Sequence, residues 1–310
     1  MSSPLPKKAE ISITWSFFSR TLFVNRRNHF EGQTQTVNQS SPKLQQAITM
    51  APILTSNPTI TLVPEPLTPA NFAPFGTAIC SPLPREISVA PQPSSLPPYD
   101  PTPVLANQNS ALKYSPISPL IDRYTNGCPS GKPASARMTM FCCFPRKLRT
   151  ISAKQQSEKE VFDVRILERH PFTNQTFIPT DLSSHSKVGD GEEEPVFLVV
   201  VAPTLKGEVA TAKNAAGETI TIRDPPDLRN VKAFIARGGQ AVTYGVGTWH
   251  APMVVLGPRR VDFVVVQHVN GVDDEDCQEA AFGEGIVVDL GVKGQYGRPE
   301  KTPARLWAKL

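Results

Sequence analysis

Nowhere in the sequence do two cysteines stand as a Cys-x-x-Cys pair. The five that occur, Cys80, Cys128, Cys142, Cys143 and Cys277, are odd in number and irregular in spacing. A zinc ribbon and a disulfide framework are both disfavoured, and a reducing compartment is expected. Long apolar runs are also missing. The strongest, VFLVVVA at residues 196–202, is far shorter than the ~20 residues a helix needs to cross a bilayer, so a soluble protein with no membrane partner is expected. Net positive charge is missing beyond the first 49 residues, where Lys7, Lys8, Arg20, Arg26, Arg27 and Lys43 face only Glu10 and Glu31 and account for the whole net charge of +4. The rest of the chain has no basic stripe with interleaved aromatics, which sets nucleic acid aside as a partner. No internal repeat is visible.

Proline, by contrast, is abundant. The 32 prolines among 310 residues are about twice average usage and they cluster, notably between Ser81 and Pro103. Pro-heavy loops between short apolar runs argue for a mainly β fold. Strands are predicted at residues 59–63, 137–144, 161–170 and 196–202, and in QAVTY, APMVVL and VDFVVVQHV. Thr68-Pro69 marks a helix start, with Gly76 closing that short helix. Residues 205–224 read as a polar insertion. The spacing of Leu228, Val231, Phe234 and Ile235, followed by Gly238, predicts a helix over Asp227 to Arg237. Short strands at regular turn spacing point to a sandwich or barrel.

The segment VFDVRILERHPFTNQTFIPT, residues 161–180, carries chemistry. On a regular strand Phe162, Val164 and Ile166 share a face with Glu168 and His170. A buried, unpaired carboxylate is costly, so something is expected to meet Glu168. In GQAVTYGVGTWHAPMVVL, residues 239–256, Gly245-Val-Gly247 marks a tight turn. His250, Pro252, Val254 and Leu256 are then expected on the inward face of a returning hairpin strand. On the residues alone, a Glu168 salt-bridged to an arginine inside the barrel, with locally bonded histidines, stays open beside a metal or substrate site.

These spacings resemble the cupin superfamily, small β-barrels with a central metal. The later cupin motif, G-x5-P-x-G-x2-H, is matched by Gly239, Gly245 in the proline position, Gly247 and His250. The earlier one is matched by Glu168-x-His170-x4-Gln175, with Glu in place of the first His and Gln in place of the Glu. The resemblance implies a cupin-like β-barrel, or double-stranded β-helix, with a few short helices and long Pro-rich loops. It also implies convergence of Glu168, His170, Gln175 and His250 on one divalent cation, and that donor set suits Ni, Mn, Fe or Zn.

A narrower resemblance runs in patches from about Pro66 to Glu279. LERHPFTNQTFIP, FLVVVA, LRNVKAFIARGGQAVTYGVGTWHAPM and VDFVVVQHVNGVDDEDCQE look like the ureidoglycolate lyase family and stand in its order. The resemblance implies cleavage of ureidoglycolate into glyoxylate and urea in allantoin breakdown, a homodimer, and a divalent metal, nickel among the candidates. Where bacterial members read YH-x3-WHHP, this chain has Tyr244-Gly245-x3-Trp249-His250-Ala251-Pro252, so two family histidines are absent and His250 must act alone. The expected catalytic residues are His250, His170 and Glu168. The expected substrate contacts are Arg137, Gln175, Asn107, Asn109, Tyr244 and Trp249, with Asp262 behind His250. The rival readings are an amidohydrolase that releases ammonia from the same compound, and a non-catalytic cupin that binds a small acid.

The two ends add expectations of their own. Residues 1–49 read as a disordered or targeting-like extension, with Met50 as an alternative start of a 50–310 catalytic domain. The terminal Ala308-Lys309-Leu310 is a close variant of the Ser-Lys-Leu peroxisomal address, with the cytoplasm as the alternative location.

Overall fold

The computed structural model describes residues 51–292, apart from residues 56–58, 85, 153–157, 181–186 and 189–191. The proposed N-terminal extension and the C-terminal tripeptide lie outside the described residues.

Two large sheets make the body of the fold, beside two small two-stranded ones. The larger has twelve strands. Its centre is Pro195–Ala202, flanked on one side by Lys232–Arg237 and on the other by Trp249–His250, then Glu158–Arg169, then Gln278–Val292. The smaller sheet has five strands in the order Gly76–Ile79, Ala241–Tyr244, Gln175–Thr180, Val261–Val269 and Ser135–Cys143. One apolar core joins the two sheets: Phe177, Val242, Phe263 and Val265 of the smaller meet Phe197, Val199, Val201 and Phe234 of the larger. Edge-to-face ring pairs such as Phe197–Phe263, at 5.3 Å, add to what burial alone supplies. A second core lies on the other side of the large sheet, where Leu198, Val200, Ile235 and Trp249 pack with Phe162, Leu167, Ile286 and Leu290. This is the mainly β, cupin-like class expected.

Pro195–Ala202 is buried at every position because successive side chains serve alternate cores. That explains its continuous apolar run in place of the apolar/polar alternation of a half-exposed strand. The same cause overturns the helix expected over Asp227 to Arg237. Only Leu228–Asn230 forms a single 3-10 turn, and Lys232–Arg237 is a strand paired with Pro195–Ala202. Ala233 and Ile235 enter one core, Phe234 and Ala236 the other. An apolar run buried on both faces mimics helical spacing. Lys232, at the start of that strand, pairs with Glu65 at 3.1 Å.

The expected polar insertion at 205–224 contains a hairpin, Val209–Lys213 with Thr219–Arg223, whose Ala212 and Ile222 reach the second core. The short helix does start as expected, Pro69–Phe72 capped by the Thr68 side chain. Gly76 opens the next strand with φ +149, and a Cβ there would fall 1.9 Å from the Thr243 carbonyl oxygen, so only glycine fits.

Candidate functional site

Three times the chain crosses between the sheets at one end of the shared core. Residues 170–174 lead from Glu158–Arg169 to Gln175–Thr180, residues 245–248 from Ala241–Tyr244 to Trp249–His250, and residues 270–277 from Val261–Val269 to Gln278–Val292. A backbone bond ties two of the crossings together. Gly247, left-handed at φ +76, donates its N–H to the His170 carbonyl at 2.9 Å. The turn before His250 therefore passes between sheets and does not close the expected hairpin. His250 pairs in register with Glu168.

Strand phase needs two corrections. Val164 and Leu167 pack in the same core although three residues apart, and the pairing with Gln278–Val292 shifts register between Val164 and Ile166. Alternation therefore breaks there. Glu168 and His170 end up on the face opposite Phe162 and Val164. Likewise Val254 and Leu256 enter the second core, whereas His250 stacks on Tyr244 of the first. The strand is interrupted between His250 and Val254, so those residues do not share a face.

The result is a converging set of lone pairs. Candidate ligand atoms of Glu168, His170 and His250 lie within 4.8 Å of one another. His250 Nδ1 is 3.0 Å from the Thr248 carbonyl and His170 Nδ1 is 2.6 Å from the Asp276 carbonyl. A carbonyl only accepts, so both Nδ1 atoms carry hydrogen and both Nε2 atoms turn inward. His250 Nε2 stands 3.4 Å from Glu168 Oε1 and 3.3 Å from Gln175 Oε1. The Gln175 amide is oriented by donating its Nε2 hydrogen to Gln267 Oε1 at 2.5 Å.

A proton on His250 Nε2 would satisfy Glu168 and Gln175. It would still leave His170 Nε2, which is buried without a hydrogen-bond partner. A divalent cation among two imidazoles, a carboxylate and an amide oxygen answers all four at once, and this donor set fits a borderline first-row metal. The structure thus brings together the four residues expected to ligate.

Electrostatics agree with that arrangement. Burial pushes the Glu168 carboxyl up, but the hydrogen bond with His250 and the charges of both histidines outweigh it and hold the group below the ordinary range. Burial, helped by neighbouring His250, holds His170 below the ordinary imidazole value against the opposing pull of the Asp276 carbonyl, Glu168 and Gln175. Neutral His170 keeps its lone pair. Tyr244 stacks on the His250 ring at 3.9 Å and 11°, and burial drives its hydroxyl far up.

The other expected residues fare differently. Arg137 lies in one register row with Gln267, Gln175 and Tyr244, so it shares the site's face, two strand spacings or about 10 Å from Gln175. Trp249 is displaced from the substrate role. It is fully buried in the second core, with the Arg169 guanidinium over its ring at 4.9 Å and its Nε1 donating to the Asp224 carbonyl. Asn107 and Asn109 form the exposed, left-handed turn of a separate two-stranded hairpin, and none of the hydrogen bonds seen among the described residues ties them to the site. Asp262 lies opposite Cys142, five residues along its strand from Gln267, and is paired with Arg260, so it does not back His250.

Two residues went unread. Gln267 continues the inward phase of Val261, Phe263 and Val265, a signal present in the sequence. Glu279 stands directly opposite Glu168, and burial together with the Glu168 charge raises its carboxyl.

Comparison with known proteins bears on what such a site acts upon. The sequence model of the family described as ureidoglycolate lyase matches residues 59–289. The chain is 32% identical to the ureidoglycolate lyase of Saccharomyces cerevisiae over 74% of its own length and 97% of the yeast protein. It is 33% identical to that of Schizosaccharomyces pombe over 61% of its length and 83% of the relative. For that of Burkholderia mallei the figures are 28%, 73% and 92%. The matched span contains the whole smaller sheet, all of the larger but its strand Ile53–Leu54 and the last residues of Gln278–Val292, all three crossings and every residue of the lone-pair cluster, and the chain belongs to the ureidoglycolate lyase family.

Proposed function

We propose that this chain is a lyase that splits ureidoglycolate into glyoxylate and urea. The observation that carries the reading is the convergence of Glu168, His170, Gln175 and His250 within the span that matches the family. The reaction removes the proton from the substrate's hydroxyl. The oxygen's electron pair forms the aldehyde C=O as the C–N bond breaks, and the departing ureido nitrogen takes a proton. A divalent cation held by these four residues, Ni, Mn or Zn by donor type, would lower the hydroxyl's pKa and fix the substrate's chelating oxygens.

The chain's own groups divide the remaining work. With a cation on His250 Nε2, the Glu168 carboxylate, 3.4 Å from His250, is the group left to hold and return the proton through its oxygen not on the cation. Gln175 presents its amide oxygen, and Arg137 at the end of the same row is within side-chain reach of a bound carboxylate.

The test is turnover of freshly made ureidoglycolate by the full chain before and after chelation, with urea and ammonia measured separately. Urea without ammonia, lost on chelation and restored by one metal, is expected. Ammonia as the product would establish the amidohydrolase instead, and binding without turnover would establish a non-catalytic cupin.

Two further readings belong to this proposal. The strand Ser135–Cys143 ends the smaller sheet and exposes Met138, Met140 and Phe141. An apolar edge of this kind invites pairing, and antiparallel pairing with a second copy is self-complementary. A homodimer is expected by light scattering, with Met140→Lys shifting it to monomer. The C-terminal Ala308-Lys309-Leu310 supports import into peroxisomes; a fluorescent fusion at the N-terminus should lose that location when the tripeptide is deleted.

A further inference from the structure

We infer that Tyr124, acting through Asp276, is a positioning residue for His170, an inference that rests on the reading of His170 as a ligand or proton-handling group. The His170 ring is set by a single short bond from Nδ1 to the main-chain oxygen of Asp276, 2.6 Å long. That oxygen belongs to the single helical turn Asp273–Asp276 within a crossing and not to a strand, so its position depends on what fixes the crossing. The side chain of the same residue does so. Asp276 Oδ1 accepts from the Asn270 N–H at 2.8 Å and from the Tyr124 hydroxyl at 2.8 Å. Its Oδ2 accepts from the Gly271 N–H at 2.7 Å.

The Asn270 and Gly271 contacts are internal to the loop. Tyr124 reaches in from 152 residues earlier in the chain. It is fully buried on the short helix Tyr124–Gly127, and its ring lies against Phe172 at 5.5 Å. Phe172 stands two residues after His170 and its carbonyl accepts the Arg123 N–H. One residue therefore bears on both crossings that meet at His170, touching the ring of one and the carboxylate of the other. With the hydroxyl in place, the Asp276 carbonyl keeps hydrogen on Nδ1 and the lone pair on Nε2.

A second tie joins the same two regions. Ser130 donates its N–H and its hydroxyl to Glu275, both at 2.7 Å. This bond steadies the loop without touching Asp276, which makes Ser130→Ala a control for loop stability alone.

The experiment is nitrogen-15 NMR of the full chain with labelled histidine, the His170 signals being assigned by their loss in His170→Gln. In the wild type His170 should be the Nδ1–H tautomer. Tyr124→Phe, which removes one oxygen and keeps the ring against Phe172, should give a mixture of tautomers and weaken Zn²⁺ binding about tenfold. Ser130→Ala should lower the Tm and leave the tautomer alone. If Tyr124→Phe does not fold, Asp276→Asn carries the same prediction. A pure Nδ1–H tautomer retained in the folded variant overturns the inference, as does a wild type that is not Nδ1–H. A wild type with the expected tautomer that binds no divalent cation would sink the metal reading while leaving the role of Tyr124 standing.

Discussion

Glu168 sits between two neighbours of opposite effect, His250 on one side and Glu279 on the other. Replacing it with glutamine keeps the shape and removes the charge, so Glu168→Gln should lower kcat at least a hundredfold and weaken divalent binding. Steady-state kinetics and calorimetry check both, and His170→Ala with unchanged turnover would remove the site altogether. Gln267 works at one remove, since its side chain decides which end of the Gln175 amide faces inward. Gln267→Leu frees that amide to rotate, and calorimetry should show divalent binding weakened about tenfold. The types and spacing of Glu168, His170, Gln175 and His250 were legible in the chain. Their phase was not, because a break in alternation near Arg165 leaves no trace in residue type. Trp249 misled for a related reason: beside His250 in sequence, it necessarily points to the other side of its strand.

At the scale of the element, the strand Lys232–Arg237 separates two accounts of one stretch. Were it helical, Ala233 would lie opposite the apolar stripe and tolerate a charge. On the strand it is buried in the second core. Ala233→Asp should therefore cost more than about 3 kcal/mol and sharply reduce the yield of folded protein, read by circular dichroism and denaturant melts. The strands with clean turn punctuation could be read directly, as could the Thr68-Pro69 helix start. Gln278–Val292 was missed because its EAAFGEG segment carries small and polar residues where the pairing shifts register.

For the whole molecule, acid and metal are the informative perturbations. Glu275 is desolvated, which alone would raise its carboxyl, but hydrogen bonds from Ser130 and Asn270 overcome this and bring it from the ordinary 4.5 to about 2. A depressed carboxyl stabilises the fold above its unfolded value, and that contribution is lost as pH falls from about 4.5 through about 2. Thermal melts across this window should show a shallower acid slope for Glu275→Gln than for the wild type. A cation that binds only the folded site should add about 2.7 kcal/mol at a hundred times its Kd. That gain should vanish in His250→Ala, with Tm measured against metal concentration.

The strand Pro195–Ala202, covered on both faces in the finished protein, has a different status on the ribosome. Its partners Lys232–Arg237, Trp249–His250 and Val254–Val255 are all made later, some 30 to 60 residues downstream at about 5–20 residues per second. For several seconds PVFLVVVA emerges with both edges unpaired, an uncharged β-prone stretch of the kind that aggregates. The feature that ties the two cores together thus makes the nascent chain dependent on timing. Synthesis slowed between residues 202 and 255 should increase its capture by chaperones, and faster completion should reduce it.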